Sequence, residues 1–253
     1  MSIPELVAHR GYARRFPENT LIAVQAAADA GARFIEIDVQ LSRDGVPVLF
    51  HDRTLARLCG VAGAVHELTW TQLQDLRASE FERFGYKFAQ NRLTGLREFA
   101  EFLRTRTEVT AFVEIKRAAL AQFGIDATLA AVSRELQGLD ARVILISFSL
   151  ELLAAARAQQ RADAACGWHA IGAVIDTWRE RQQAALKRLS PEYLFCDVDG
   201  LPRFGRLDFG AAKLVIYEVA DADTALRLHR RGVHMIETFA IGELSAQLAL
   251  AAG

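Results

Sequence analysis

Phe34-Ile35-Glu36-Ile37-Asp38-Val39 is the stretch on which the fold turns. Its β-branched and aromatic residues favour extended chain, and residues two apart on a strand share a face. Ile35 and Ile37 therefore lie on one side, Glu36 and Asp38 on the other. Ala111-Phe112-Val113-Glu114-Ile115-Lys116 repeats the pattern, with Val113 and Ile115 opposing Glu114 and Lys116. Helices must cover the isoleucine faces, so the charged faces project inward, near the strand ends.

Working outward, Leu6-Val7-Ala8-His9, Val46-Pro47-Val48-Leu49-Phe50-His51 and residues 143–148, 193–198, 214–219 and 233–237 also read as strands, as does the stretch around 165–171. Segments rich in Ala, Leu, Arg and Gln lie between many of them, at residues 21–30, 96–104, 127–136, 151–160, 179–189 and 222–231, and these favour helix. Asn19 is expected to cap the first helix and Gly31 to end it; Gly232 closes the last clear one. Strand–helix alternation predicts an α/β fold, a (β/α)8 TIM barrel. The nine strand candidates exceed the eight of such a barrel. The seven residues 39–45 are too few for a helical crossover. Either that return is extended chain or one candidate is not a barrel strand. Residues 52–93 are too long for a simple loop. With Trp70, Phe81, Phe84, Tyr86 and Phe88 they read as a small insertion after the third strand, forming a mini-core or covering substrate. Residues 1–253 are expected to form one domain.

Of 253 residues, 51% are hydrophobic, and 30 Lys and Arg nearly cancel 31 Asp and Glu to leave a net charge of −1. So apolar a chain buries a large core, which excludes disorder as its main state. The balanced charge argues against a nucleic-acid partner. Cys59, Cys166 and Cys196 form no CxxC and are too few for a disulfide framework or zinc knuckle. The start Met-Ser-Ile-Pro-Glu has no signal-peptide pattern, and no run approaches the ~20 apolar residues of a membrane span. A cytoplasmic protein with reduced thiols and no stable membrane association is expected.

Inward charges are costly unless they pair or bind something. Glu36, Asp38 and Glu114 suit one hard divalent cation, Mg²⁺ or Ca²⁺. The alternative is a buried ion network with Arg10 and Lys116, which rarely improves on apolar packing. His9-Arg10-Gly11 ends the first strand and His51-Asp52 the third. Two strand-end histidines beside paired carboxylates fit an acid/base pair. His169 alone reads as structural, and His66, His229 and His234 have no supporting neighbours. Arg10 and Lys116 can hold a phosphate. The three carboxylates, a divalent cation, Arg10 and Lys116 leave a net +1, which a phosphodiester's −1 neutralises. Phosphoryl transfer is the chemistry this suits.

His9-Arg10-Gly11, Pro17-Glu18-Asn19-Thr20, Glu36-Ile37-Asp38-Val39 and Asp44-Gly45-Val46-Pro47-Val48 leading to His51-Asp52 resemble the glycerophosphodiester phosphodiesterase family. Glu114-Ile115-Lys116 and Ser147-Phe148 match its later motifs in order. The match is dense over residues 7–58, isolated to about 148 and weak beyond. The resemblance implies a TIM barrel with its site at the C-terminal strand ends. It implies a divalent metal on Glu36, Asp38 and Glu114, His9 and His51 as acid and base, and Arg10 and Lys116 on the phosphate. It also implies attack by a glycerol hydroxyl on phosphorus. The resulting cyclic phosphate is opened by water to give glycerol 3-phosphate and an alcohol.

Tyr217-Glu218-Val219 stands where the family usually has Trp-Thr-Val. Glu237-Thr238-Phe239 stands where it usually has Thr-Asp before Pro. The usual Trp lines the substrate pocket, so Tyr217 is the candidate in its place. Glu18 and Asn19 are weaker site candidates. The expected partner is a soluble small-molecule glycerophosphodiester. Two other readings compete: the same centre acting on lysophospholipids or another phosphodiester, as a lysophospholipase D would, which exposed apolar surface at 81–88 would favour; and a catalytically idle module for phosphorylated ligands.

Overall fold

The computed structural model describes residues 2–252. Its strands are β1 (Glu5–Ala8), β2 (Phe34–Leu41), β3 (Pro47–Leu49), β4 (Thr110–Ile115), β5 (Val143–Ser147), β6 (Ala170–Ile175), β7 (Tyr193–Asp197), β8 (Lys213–Tyr217) and β9 (Met235–Thr238). The order β1-β9-β8-β7-β6-β5-β4-β2 closes through a β1–β2 pairing into a ring of eight parallel strands, a TIM barrel. The surplus candidate is β3, which lies outside the ring. It pairs antiparallel with β2 through Val39↔Leu49, Gln40↔Val48 and Leu41↔Pro47. Its turn is closed by Ser42, whose hydroxyl donates to Asp44 Oδ1 over 2.7 Å.

The principal helices are α1 (Leu21–Asp29), α2 (Leu96–Thr105), α3 (Ile125–Leu136), α4 (Leu150–Ala162), α5 (Ala184–Leu189), α6 (Ala222–Arg230) and α7 (Ile241–Ala252). Between β7 and β8 the chain returns without a helix. The expected helix at 179–189 is a 3₁₀ turn over Trp178–Gln182 followed by α5. The strand expected around 165–171 begins only at Ala170. Gly167, at φ +105°, breaks the extended run before it. There Cys166 is held against α3 by a 2.6 Å bond from the Ser133 hydroxyl to its carbonyl. At α1 the cap is Thr20, whose side chain accepts from Ala23 N, not Asn19.

Strand parity sorts the side chains into two layers. Ile35, Ile37, Val113 and Ile115 are fully buried between barrel and helices. Val7, Phe112, Ile146, Phe195 and Met235 fill the barrel interior. The ring of Phe112 meets Tyr193 and Phe195 edge-on, each at 5.0 Å, and floors the barrel beneath the polar strand ends. Within 52–93 the mini-core is aliphatic: Leu55, Leu58, Val65, Leu73 and Leu93 pack beside Val48 and Phe50. The expected aromatic contribution is smaller. Trp70 packs against this cluster and Phe88 is buried. Phe81 and Tyr86 are 52% and 82% exposed and touch edge to face at 5.0 Å. Among the described residues no helix is long and apolar enough to cross a membrane, and the three cysteines are free.

Candidate active site

The β2–β4 register pairs Glu36 with Phe112 and Asp38 with Glu114, so the last two stand level on adjacent strands. One carboxylate oxygen each of Glu36, Asp38 and Glu114 lies within 4.8 Å of the others. That spread suits oxygen ligands about 2.0–2.6 Å from a shared cation. All three side chains are buried. Glu36 Oε2 accepts from the Arg10 backbone N–H at 3.1 Å, while its Oε1 is buried with no hydrogen-bond partner. A buried carboxyl oxygen left unmatched is what a metal ligand looks like without its metal. The donor set therefore fits a hard divalent cation.

The ion network weighed as an alternative exists in part, and it centres on Asp38. Asp38 Oδ2 receives Asn19 Nδ2 at 2.8 Å and lies 3.1 Å from Arg10 Nε. The Asp38 N–H donates to Asn19 Oδ1 at 3.0 Å. Lys116 Nζ bridges Asp38 Oδ1 at 3.1 Å and Glu114 Oε1 at 2.7 Å. Burial alone would raise the Asp38 pKa, but Lys116 and Arg10 outweigh it and hold the carboxyl well below its usual range. Glu36 is pushed the other way, first by burial and then by Asp38 and Glu237.

His9 stacks on Phe239 at 4.5 Å with the rings 4° apart. Its Nδ1 lies 3.1 Å from Glu218 Oε1 and its Nε2 lies 3.7 Å from Glu36 Oε2. Burial, then the Arg10 charge, lowers its pKa and favours neutral imidazole. His51 is held differently. Its Nδ1 lies 2.9 Å from Asp52 Oδ1, and Arg57 Nε donates to Asp52 Oδ2 at 2.7 Å. Arg57 also donates to Glu18 Oε1 at 2.6 Å, which in turn accepts from Arg10 Nη1 at 3.0 Å. A continuous charged chain thus runs from Arg10 through Glu18, Arg57 and Asp52 to His51. Burial opposes ionisation of Asp52, but the hydrogen bonds from His51 and Arg57 hold its pKa far down.

These groups surround an inner cavity of about 90 Å³, lined by His9, Arg10, Glu36, His51, Lys116 and Tyr217 among others. The Tyr217 hydroxyl donates to the Ile175 carbonyl at 3.1 Å, which fixes its ring in that wall. An outer cavity of about 760 Å³ adjoins it, sharing His51, Glu114, Lys116 and Phe148. All the candidate residues of the sequence reading meet here, and Glu18 and Asn19 reach the site too. His169 does not: it precedes β6 at the opposite end, with Nδ1 2.8 Å from the Asp140 carbonyl.

The sequence reading did not place Glu237 in the site. It is the next-to-last residue of β9, is 2% exposed, and groups with His9 and Glu36 within the same 4.8 Å spread. Its Oε1 has no hydrogen-bond partner. Parity carries the signal, since Met235, two residues earlier, faces the barrel interior. An ionised Glu237 would turn the net +1 into 0. Burial, then Glu114 and Asp38, raises its pKa well above the usual range and so opposes that ionisation.

The sequence profile of the glycerophosphoryl diester phosphodiesterase family matches residues 9–238. A glycerophosphodiester phosphodiesterase of Caldanaerobacter subterraneus is 35% identical over 144 residues, 57% of this chain and 58% of that protein. Glycerophosphodiester phosphodiesterase 1 of Mus musculus is 38% identical over 111 residues, 44% of this chain and 33% of that protein. The chain thus matches less than two thirds of the length of these relatives. The fold is shared with an Oleispira antarctica phosphodiesterase solved with its product sn-glycerol-3-phosphate, at a TM-score of 0.80 and 24% identity, covering 98% of this chain and 97% of that one. It is shared also with the Agrobacterium tumefaciens glycerophosphodiester phosphodiesterase, at a TM-score of 0.70 and 22% identity, covering 96% and 100%. The match to the family profile spans nearly the whole chain, and the chain belongs to the glycerophosphoryl diester phosphodiesterase family.

Proposed function

We propose that the protein is a phosphodiesterase that hydrolyses glycerophosphodiesters to glycerol 3-phosphate and an alcohol. The observation that carries this is the meeting of Glu36, Asp38 and Glu114 within 4.8 Å at a cavity that His9 and His51 also line. Family membership supports it, as does the product bound to the Oleispira antarctica relative. The described residues act as one barrel domain with 52–93 as its insertion. The three free cysteines fit a cytoplasmic location.

One divalent cation, Mg²⁺ or Ca²⁺, would be held by Glu36, Asp38 and Glu114 and would supply positive charge at the phosphate. Arg10 and Lys116 hold the phosphate from either side of Asp38. His9, kept neutral by burial, takes the proton from the glycerol hydroxyl that attacks phosphorus. His51, with its Nδ1 fixed by Asp52, gives a proton to the leaving alcohol oxygen. In the second half the roles reverse. His51 takes a proton from water, the water oxygen bonds to phosphorus, and His9 returns the proton to the glycerol oxygen. Tyr217 lines the glycerol end.

The purified protein with Mg²⁺ or Ca²⁺ should release glycerol 3-phosphate from at least one of a panel of glycerophosphodiesters. No release with any divalent metal overturns the reading, and binding without turnover would make the protein a phospho-ligand module. A His9→Ala variant should lose turnover and keep metal binding; unchanged turnover removes His9 from the chemistry. The exposed Phe81 and Tyr86 favour a second reading, action on lysophospholipids at a micelle surface. Activity that appears only above the micellar threshold, and falls in F81S/Y86S, would select it.

A further inference from the structure

The outer cavity has a charge character of its own. Arg53 and Arg117 line it and are exposed. Neither guanidinium has a carboxylate within ion-pair distance among the described residues. The two acids of the wall are already engaged. Asp52 lies 2.7 Å from Arg57 Nε and 2.9 Å from His51 Nδ1, and Glu114 lies 2.7 Å from Lys116 Nζ. A quaternary ammonium group is usually held by an open aromatic face or a free carboxylate. Phe148 is the phenyl ring of this wall, which the imidazoles of His51 and His66 also line, and Arg117 covers it with its guanidinium 4.8 Å from the ring centre. Lys116 approaches the same ring at 6.0 Å. The cavity therefore offers a cationic headgroup no uncovered phenyl face and no unengaged carboxylate. It offers a phosphate two unpaired guanidinium forks, each able to grip bidentately.

The two cavities meet at His51, Glu114, Lys116 and Phe148. A diester whose phosphorus sits over the carboxylate centre must send its leaving alcohol past His51 into the outer one. We propose that the outer cavity is a leaving-group subsite for an alcohol that carries its own phosphate, so that glycerophosphodiesters with anionic headgroups are the preferred substrates. This rests on the phosphodiesterase reading above.

The test compares kcat/KM of the full chain with Mg²⁺ or Ca²⁺ on three diesters that differ in headgroup charge: glycerophosphocholine, glycerophosphoinositol and glycerophosphoinositol 4-phosphate. Two solvent-exposed arginine–phosphate pairs should favour the phosphorylated ring over the neutral one about fivefold, with choline poorer still. The preference should shrink toward unity at about 1 M salt, where the screening length is roughly 3 Å. R53Q/R117Q should lower the phosphorylated-to-neutral ratio about fivefold. Choline equal to or better than inositol 4-phosphate, or a ratio unmoved in R53Q/R117Q, overturns the subsite. Binding of inositol 4-phosphate by calorimetry keeps the two readings separate. If no diester turns over, the phosphodiesterase reading fails. The subsite then stands if this alcohol still binds and R53Q/R117Q weakens it, and falls if the variant binds as well as the parent.

Discussion

Gly11 follows His9 and Arg10 at φ +78°. A Cβ there would sit 2.7 Å from the Ala23 carbonyl carbon, 2.8 Å from its oxygen and 2.9 Å from Val24 N. These are backbone atoms of α1, pinned by a 2.9 Å bond from Tyr12 N to that same Ala23 oxygen. Gly11→Ala should therefore incur two costs. The left-handed backbone takes about 1–2 kcal/mol, and forcing a methyl group against packed atoms takes about 1–3 kcal/mol more. Gly45 is the control, with φ +77° and nothing within 4 Å of its would-be Cβ. Gly45→Ala incurs only the first cost. At roughly 2–4 °C per kcal/mol for a chain of this size, Gly11→Ala should melt about 10 °C below the parent and Gly45→Ala about 4 °C below. Scanning calorimetry of both variants in one buffer decides it. Melting points within about 2 °C of each other would refute the claim that the β1–α1 loop is locked by backbone contact.

Three further perturbations probe the site. Asp52→Asn should reduce kcat by about 10²-fold with little change in circular dichroism, because His51 loses the carboxylate that orients its Nδ1; an unaltered kcat would detach Asp52 from catalysis. Asn19→Ala removes both side-chain bonds to Asp38, and isothermal titration should show divalent-metal affinity weakened about 10–100-fold; affinity equal to the parent's would make Asn19 a turn residue only. Glu237 has a raised folded pKa against an ordinary value of 4.5, so its stabilising contribution is complete below about pH 4.5 and is lost as pH rises through the folded value. In chelator, the melting temperature of the parent should therefore fall relative to Glu237→Gln as pH rises above about 4.5; parallel curves would show that Glu237 does not titrate with a raised pKa.

Glu36, Asp38 and Glu114 were legible because a strand's period of two, with isoleucine or valine on the alternate positions, leaves one consistent orientation inside a barrel. Glu237 obeys the same rule, yet β9 has only four residues and a lone carboxylate. Parity on so short a strand becomes decisive only with the register that sets Glu237 beside Val7. Asn19 was obscured by competition. It has the side chain of a helix cap and sits two residues before α1, but the Thr20 hydroxyl takes that role. Asn19 turns instead, at φ +54°, to a carboxylate 19 positions away. No local pattern distinguishes those outcomes. The ninth strand was undecidable for a similar reason: Val46 to His51 is as β-prone as any barrel strand, and only the short return from Asp38 forces it to pair antiparallel at the edge.

The departures from the family's usual C-terminal motifs are scattered in sequence over 217–219 and 237–239, but in space they have one address. Phe239 stacks on the His9 ring, Glu218 lies 3.1 Å from its Nδ1, and Glu237 completes a cluster with His9 and Glu36. Each acts on a different property of the imidazole: Phe239 fixes its plane, Glu218 draws a proton to Nδ1, and Glu237 sets the polarity beside the ring. These act as one set. An N–H kept on Nδ1 leaves Nε2 as the basic atom, and Nε2 remains free for a substrate proton only while the carboxylates near it are neutral or bound to a cation. Restoring Thr at 218 alone would release Nδ1 while leaving Glu237 in place. The two carboxylates are therefore expected to be coupled: in a double-mutant cycle on kcat, Glu218→Thr and Glu237→Gln should combine non-additively by at least about 0.5 kcal/mol. Strict additivity would mean that the two strand ends reach His9 independently.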